Sequence, residues 1–322
     1  MSASEADTAA AAADVTTLCA SVKKTIVGQD AVVDDVVTAL LAGGHVLLEG
    51  VPGVAKTLLA RAVAAATGLV FSRVQFTPDL MPADLVGTRI WNGEKREWEV
   101  HKGPVFCQVL LADEINRTPP KTQSALLEAM EERQVTLDGV RHPLGDAFFV
   151  IATQNPLEFD GTYPLPEAQT DRFLKKVVVG YPPAEAELSL LEKGPRHKAD
   201  LPDAVIDEAR LLALQHLTTT VRVDESLRRY VLALLTATRT STSLKLGASP
   251  RAGLMLVRAA QARALSLGRG FVLPDDVKAV TLPVLRHRLA LSTDAELDGL
   301  SVEQVLAGLL DKTPVLKSPD AQ

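Results

Sequence analysis

Aromatic residues are scarce in this chain: two tryptophans, three tyrosines and eight phenylalanines make up 4% of its 322 residues. So thin a supply offers little surface on which nucleic-acid bases could stack. Positive charge is not in excess either, because 34 lysines and arginines face 40 aspartates and glutamates, for a net charge of −6. That balance argues against a nucleic-acid partner, while leaving room for a local basic patch. Cysteine is limited to Cys19 and Cys107, far apart and without metal-ligand spacing. No disulfide framework or thiolate metal site is expected, and a reducing, cytoplasmic setting fits best. No apolar run approaches the roughly 20 residues of a membrane helix, so no membrane insertion is expected. The alanine-rich start is acidic and has no basic segment ahead of an apolar one, unlike a secretory signal.

What is present is an ordinary globular composition, 47% hydrophobic and 23% charged. It is enough for one large domain or two modest ones. Apolar runs of strand length at 45–49, 70–75, 105–112, 148–153 and 176–179 alternate with helical patterns at 31–42, 57–66 and 122–133. The alternation predicts an α/β fold, three-layered, with a five-stranded parallel sheet. Ligand chemistry is then expected at the carboxyl ends of the strands. Two stretches break the pattern and read as hairpin insertions, near 90–100 around Asn92-Gly93 and at 134–149 around Asp138-Gly139. The core domain is expected over 15–183. After Tyr181-Pro182-Pro183 the strand signals stop, and 184–312 reads as a small all-α domain with breaks near 193–203, 240–250 and 268–274. Pro182-Pro183 and Gly194-Pro195 are the expected hinge. Residues 1–14 and 313–322 read as frayed tails.

The chemistry concentrates in two motifs. Gly50-Val51-Pro52-Gly53-Val54-Ala55-Lys56-Thr57 follows the first apolar run and opens a helical stretch. Strand, glycine-rich turn and helix together point backbone N–H groups and a helix N-terminus at phosphate. Lys56 is expected against the β- and γ-phosphates of a triphosphate, and Thr57 on Mg²⁺. The usual pattern has glycine immediately before the lysine, whereas here that residue is Ala55. In the second motif, Val109-Leu110-Leu111-Ala112-Asp113-Glu114, an apolar strand ends in two acids. Taken alone, those acids could merely cap the next segment. Beside a phosphate loop they read as a Mg²⁺ ligand, Asp113, direct or through water, and a water-activating base, Glu114.

These residues, with the segments LLADEINRTPPKTQSALLEAMEERQVTLDG, IATQNP, EAQTDRF and GASPRA, resemble the MoxR family of AAA+ ATPases over nearly the whole chain. The alanine at Ala55 is a feature of that family. The resemblance implies that Asn155 is sensor 1, orienting the attacking water. It implies that Arg172 is an arginine finger reaching a neighbour's site, although Arg117 and Arg133 could also face a subunit boundary. It further implies that Arg251 is sensor 2, contacting the phosphates from the helical domain, and that Val27, Gly28 and Gln29 lie on the adenine side. On this resemblance, the two hairpins correspond to the insertions of the clade that also holds magnesium-chelatase ATPases. In such rings they face pore or partner, with Ile90, Trp91 and Trp98 the first residues to suspect.

The implied activity is chaperone-like: ATP hydrolysis with Mg²⁺ in a homo-oligomeric, hexameric ring that remodels, assembles or matures a client protein, often beside a von Willebrand factor A domain protein as adaptor. An ATP-gated binding module with incidental turnover is the alternative, and a nucleic-acid motor is a third reading that the fold permits. The client is not encoded in the phosphate chemistry.

Overall fold

A computed structural model describes residues 4–156, 162–194 and 200–315. In chain order, α1 (Glu5–Thr25) and α2 (Asp30–Leu41) precede β1 (His45–Glu49) and α3 (Lys56–Ala66). Then β2 (Phe71–Gln75) and a short α4 (Pro82–Val86) lead into a hairpin of β3 (Gly87–Asn92) and β4 (Glu97–Lys102). Next come β5 (Val109–Asp113), α5 (Pro120–Glu132), a second hairpin of β6 (Gln134–Leu137) and β7 (Val140–Pro143), β8 (Phe149–Gln154), α6 (Glu167–Thr170) and β9 (Phe173–Val178). The remainder is mainly helical: α7 (Ala184–Lys193), α8 (Glu208–Thr220), α9 (Glu225–Thr240), α10 (Pro250–Ser266), α11 (Pro274–Leu285), α12 (Thr293–Leu297) and α13 (Val302–Lys312), with a small strand pair, β10 (Leu244–Leu246) and β11 (Ala290–Leu291).

The five-stranded parallel sheet expected from the apolar runs is present, in the order β2-β5-β8-β1-β9. Its strands carry near-continuous apolar runs because both faces are covered. Along β1, Val46 and Leu48 join one buried cluster and Leu47 the other. The alternation repeats on β5, with Val109 and Leu111 against Leu110 and Ala112, and on β8, with Phe149 and Ile151 against Val150 and Ala152. One layer is α1, α2 and α3; the opposite one is built around α5. Burying one such leucine contributes about 1.5–3 kcal/mol.

Four expectations need correction. Of the expected tail at 1–14, the described residues 4–14 are not frayed: Ser4 caps α1, and Thr8, Ala11, Val15, Leu18 and Val22 form a buried stripe on it. Alanine, weakly apolar, blurs that 3-4-3-4 spacing in the sequence. The strand expected from 105 begins only at Val109, because Val105 N donates to Leu85 O at 3.2 Å and the backbone turns there. The strand signal also does not end at residue 183, since β10 and β11 pair. Lastly, the helical part is not joined through a hinge that few contacts cross. Side chains of α8, α10 and α11 share one buried cluster with α1 and α2. Pro182, at the expected hinge, packs on Gly28. Pro195, and most of the expected tail, 316–322, lie outside the described residues.

Both hairpins exist, with different turns. In the second, Asp138 (φ 47°) and Gly139 (φ 80°) form a two-residue loop with both residues left-handed, as the Asp-Gly signal predicts. In the first, Asn92 is the last strand residue, and its Oδ1 accepts from the N–H groups of Glu94 and Lys95 at 3.0 and 3.1 Å, making a four-residue loop. Trp91 and Trp98 pair across this ribbon edge to face, 5.6 Å apart. They remain 50% and 55% exposed, and Ile90 47%.

Candidate functional site

At the carboxyl end of β1 the chain enters residues 50–55, and α3 begins at Lys56. Gly50 is obligatory by space: a Cβ there would stand 2.4 Å from the carbonyl oxygen of Val179. Ala55 takes a left-handed conformation, φ 61° and ψ 20°. That explains why glycine usually precedes the lysine, and a residue with a Cβ there costs roughly 1–2 kcal/mol. The Lys56 ammonium donates to Gly50 O, closing the loop on itself.

Facing the loop, Asp113 ends β5 and Asn155 follows β8. Together with Pro52, Gly53, residues 55–58 and Thr153, these side chains and Glu114 line a cleft of ≈ 370 Å³. Asp113 is 7% exposed, and both of its oxygens are engaged. Thr153 Oγ1 donates to Oδ1 at 2.6 Å, and Arg73 donates to Oδ2 from Nη2 at 2.7 Å and from Nε at 3.1 Å. Glu114 is also left-handed, φ 58°, and its own N–H donates to Thr153 Oγ1 at 2.9 Å. Its carboxylate accepts from Gln75 Nε2 at 2.6 Å and from Arg117 Nη1 at 3.0 Å. Adjacent acids are thus separated into a buried group and a half-exposed one that moves on a longer side chain. Such an arrangement offers one carboxylate that would hold a metal and a second that would serve as a general base.

Arg73, Gln75 and Thr153 are functional candidates that sequence reasoning missed. The signal was available: Arg73 and Gln75 stand two apart on a strand, so they share a face, and Gln75 is in register with Asp113. Among the described residues no cluster of three or more His, Cys, Asp or Glu could hold a metal unaided. A divalent ion at Thr57 and Asp113 would take its other oxygens from phosphate and water, a donor set these residues fit.

The remaining expected residues do not line this cleft. Val27, Gly28 and Gln29 sit at the end of β9: Gln29 Nε2 donates to Gly180 O at 2.7 Å, one residue past the Val179 that abuts Gly50. Gly28 has φ 76°, and a Cβ on it would come within 2.6 Å of Ala186. Arg172 and Arg251, expected to serve separately, instead meet on Glu131: Arg172 Nε donates to Oε2 at 2.7 Å and Arg251 Nη1 to Oε1 at 2.8 Å. The hydrogen bonds from Arg172 and then from Arg251 hold the Glu131 carboxyl below its usual range. Of the two other arginines considered for a boundary, Arg133 is tied within the chain to Asp146 O and Gly43 O at 2.6 and 3.0 Å. Arg117 lies on Glu114.

Comparison with known proteins agrees with this geometry. Residues 45–175 match the ATPase family associated with various cellular activities (AAA), and residues 236–308 match the AAA lid domain. The chain is 48% identical over 285 residues to the uncharacterized protein YeaC of Bacillus subtilis, covering 87% of this chain and 88% of that one. It is 47% identical over 300 residues to chaperone MoxR1 of Mycobacterium tuberculosis, covering 90% and 79%, and 33% identical over 298 residues to protein MoxR of Methylorubrum extorquens, covering 84% and 85%. A crystal structure of a candidate ATPase from Cytophaga hutchinsonii superposes with a TM-score of 0.89 at 40% identity, covering 96% of this chain and 97% of that one. No described helix is long and apolar enough to cross a membrane.

Proposed function

Because the chain belongs to the MoxR family of AAA+ ATPases, we propose that it hydrolyses ATP with Mg²⁺ at sites shared between subunits of a homo-oligomeric, hexameric ring, and that the ring remodels or matures a client protein in the cytoplasm. The observation that carries the reading is the convergence of Lys56, Thr57, Asp113, Glu114 and Asn155 on one cleft. Bound Mg²⁺ would neutralise charge developing on the transferred phosphoryl group. Lys56 exchanges Gly50 O for phosphate oxygens, and the loop's N–H groups and the start of α3 cradle the rest. Thr57 and Asp113 would hold the metal, the Asp113 carboxylate being oriented by Thr153. Glu114 orients and deprotonates the attacking water, and Asn155 holds that water from the neighbouring strand end.

Gln75 and Arg117 keep Glu114 engaged until substrate is in place, which limits idle turnover. Val27, Gly28 and Gln29 serve the adenine end. Arg172, whose terminal nitrogens have no hydrogen-bond partner among the described residues, is the finger that completes a neighbour's site; the two terminal-nitrogen bonds of Arg133 within the chain favour Arg172 over it. Arg251 works beside it. The exposed Trp91–Trp98 ribbon serves contact with the client or with a von Willebrand factor A domain adaptor.

Glu114→Gln tests the mechanism. Turnover should fall about 10²-fold or more while ATP binding persists, because the amide cannot accept the proton. Undiminished hydrolysis in that variant would remove Glu114 from the chemistry.

A further inference from the structure

Glu131 lies in the last turn of α5, where an acid faces the negative end of the helix dipole and no lysine or arginine of that turn offsets it. The offset comes from two other elements. Arg172 belongs to the segment between α6 and β9, and Arg251 to the first turn of α10; each gives one N–H to a different oxygen of the Glu131 carboxylate. We propose that Glu131 is a positioning residue that holds Arg172 and Arg251 together as a two-guanidinium receptor for the γ-phosphate of ATP bound to a neighbouring copy of this chain, an inference that rests on the subunit-shared reading above.

Two guanidinium groups brought side by side repel, and a carboxylate between them removes that repulsion while fixing both directions. Glu131 uses only one N–H of each arginine. Both Nη groups of Arg172, and Nε and Nη2 of Arg251, make no hydrogen bond among the described residues, and the two side chains are 29% and 40% exposed. These are the donors an incoming phosphate would take. The backbone beneath Arg172 is already fixed: Arg288, three residues past the end of α11, donates to Asp171 Oδ1 at 2.6 Å, Asp171 O at 2.9 Å and Phe173 O at 2.6 Å. Only the direction of the Arg172 side chain is left open, and Glu131 sets it. A surface ion pair without this function would contribute little and could be deleted freely.

The test compares Glu131→Ala and Glu131→Gln with the unaltered protein in the assembled state. Turnover should fall about 10- to 100-fold in Glu131→Ala, the loss expected when a catalytic group is misplaced by about an ångström. The loss should appear in kcat with KM for ATP nearly unchanged, since the variant's own cleft is intact. Glu131→Gln, with one acceptor oxygen, should fall between and guards against misfolding of the alanine variant. Mixing Glu131→Ala with Lys56→Ala should recover activity, because the first supplies an intact cleft and the second an intact arginine pair. Full activity in Glu131→Ala overturns the inference. So does a loss that mixing fails to recover, provided that Lys56→Ala mixed with Arg172→Ala does recover. If neither mixture recovers, the subunit-shared reading fails and takes this inference with it.

Discussion

The cleft under the phosphate loop and the arginine cluster on Glu131 differ in how they are built. In the cleft, every acid sits at or beside the end of a parallel strand, and all its side-chain partners but Arg117, which follows β5, come from adjacent strands: Arg73 and Gln75 from β2, Thr153 from β8. The sheet fixes their spacing, so the geometry exists in a single chain. The arginine cluster draws on α5, the α6–β9 segment and α10, joined at one half-exposed carboxylate. A site made from strand ends is rigid and self-contained; one made where separate elements meet can shift when those elements move. Under the shared-site proposal, that difference suits the cleft to binding ATP and the arginine cluster to reporting a neighbour's state.

The comparison breaks most visibly at Arg172. Arg172→Ala should lower turnover of the assembled protein by about 10³-fold, as loss of an arginine finger does. ATP binding by the single chain should stay unchanged, because Arg172 does not line the cleft. Weakened binding in the isolated variant would mean that the two regions are one site.

Acid should separate the two regions next. His45, at the start of β1, is fully buried; its Nε2 lies 3.1 Å from Met130 O and its Nδ1 accepts from Val150 N at 3.0 Å. Burial pushes its pKa down to about 4, and the buried His287 is lowered too, by burial and then by Arg288. Both are neutral when folded and take up a proton more readily when unfolded. Stability is therefore full above about pH 6.5 and falls as pH drops toward 4, by up to about 3 kcal/mol for His45. Glu131, held below its usual range, keeps its charge over most of that window. Melting temperature against pH checks this: a flat profile between pH 6.5 and 5 would contradict it.

The smallest effect is expected at Ala55. Ala55→Gly removes the left-handed strain but adds freedom to the unfolded chain, so the net change in stability should stay within about 1 kcal/mol, with turnover retained. A large loss of activity would show that the alanine methyl has a role of its own.

The same contrast decides what could be read from the sequence. The loop at 50–57 and the acids at 113–114 are contiguous, and contiguous residues on strand ends keep their spacing when folded. Ala55 stood out as a departure, and its left-handed φ supplies the reason. Glu131, Arg172 and Arg251 are 41 and 79 residues apart in succession. No periodicity announces that they share hydrogen bonds, so each was assigned a separate task, or none. Arg73 and Gln75 escaped notice because polar residues on an edge strand usually mean solvent. The helix α1 was hidden by its alanines, because the buried stripe begins with Thr8 and Ala11, small side chains that pack closely without standing out as hydrophobic.

The most direct test of a site shared between copies is to mix two inactive variants, Lys56→Ala, which lacks a working cleft, and Arg172→Ala, which lacks the finger. Specific turnover in the mixture should rise well above that of either variant alone and increase with protein concentration. If the mixture stays as inactive as its components in assemblies shown to contain both, each chain completes its own site and the shared-site account is wrong.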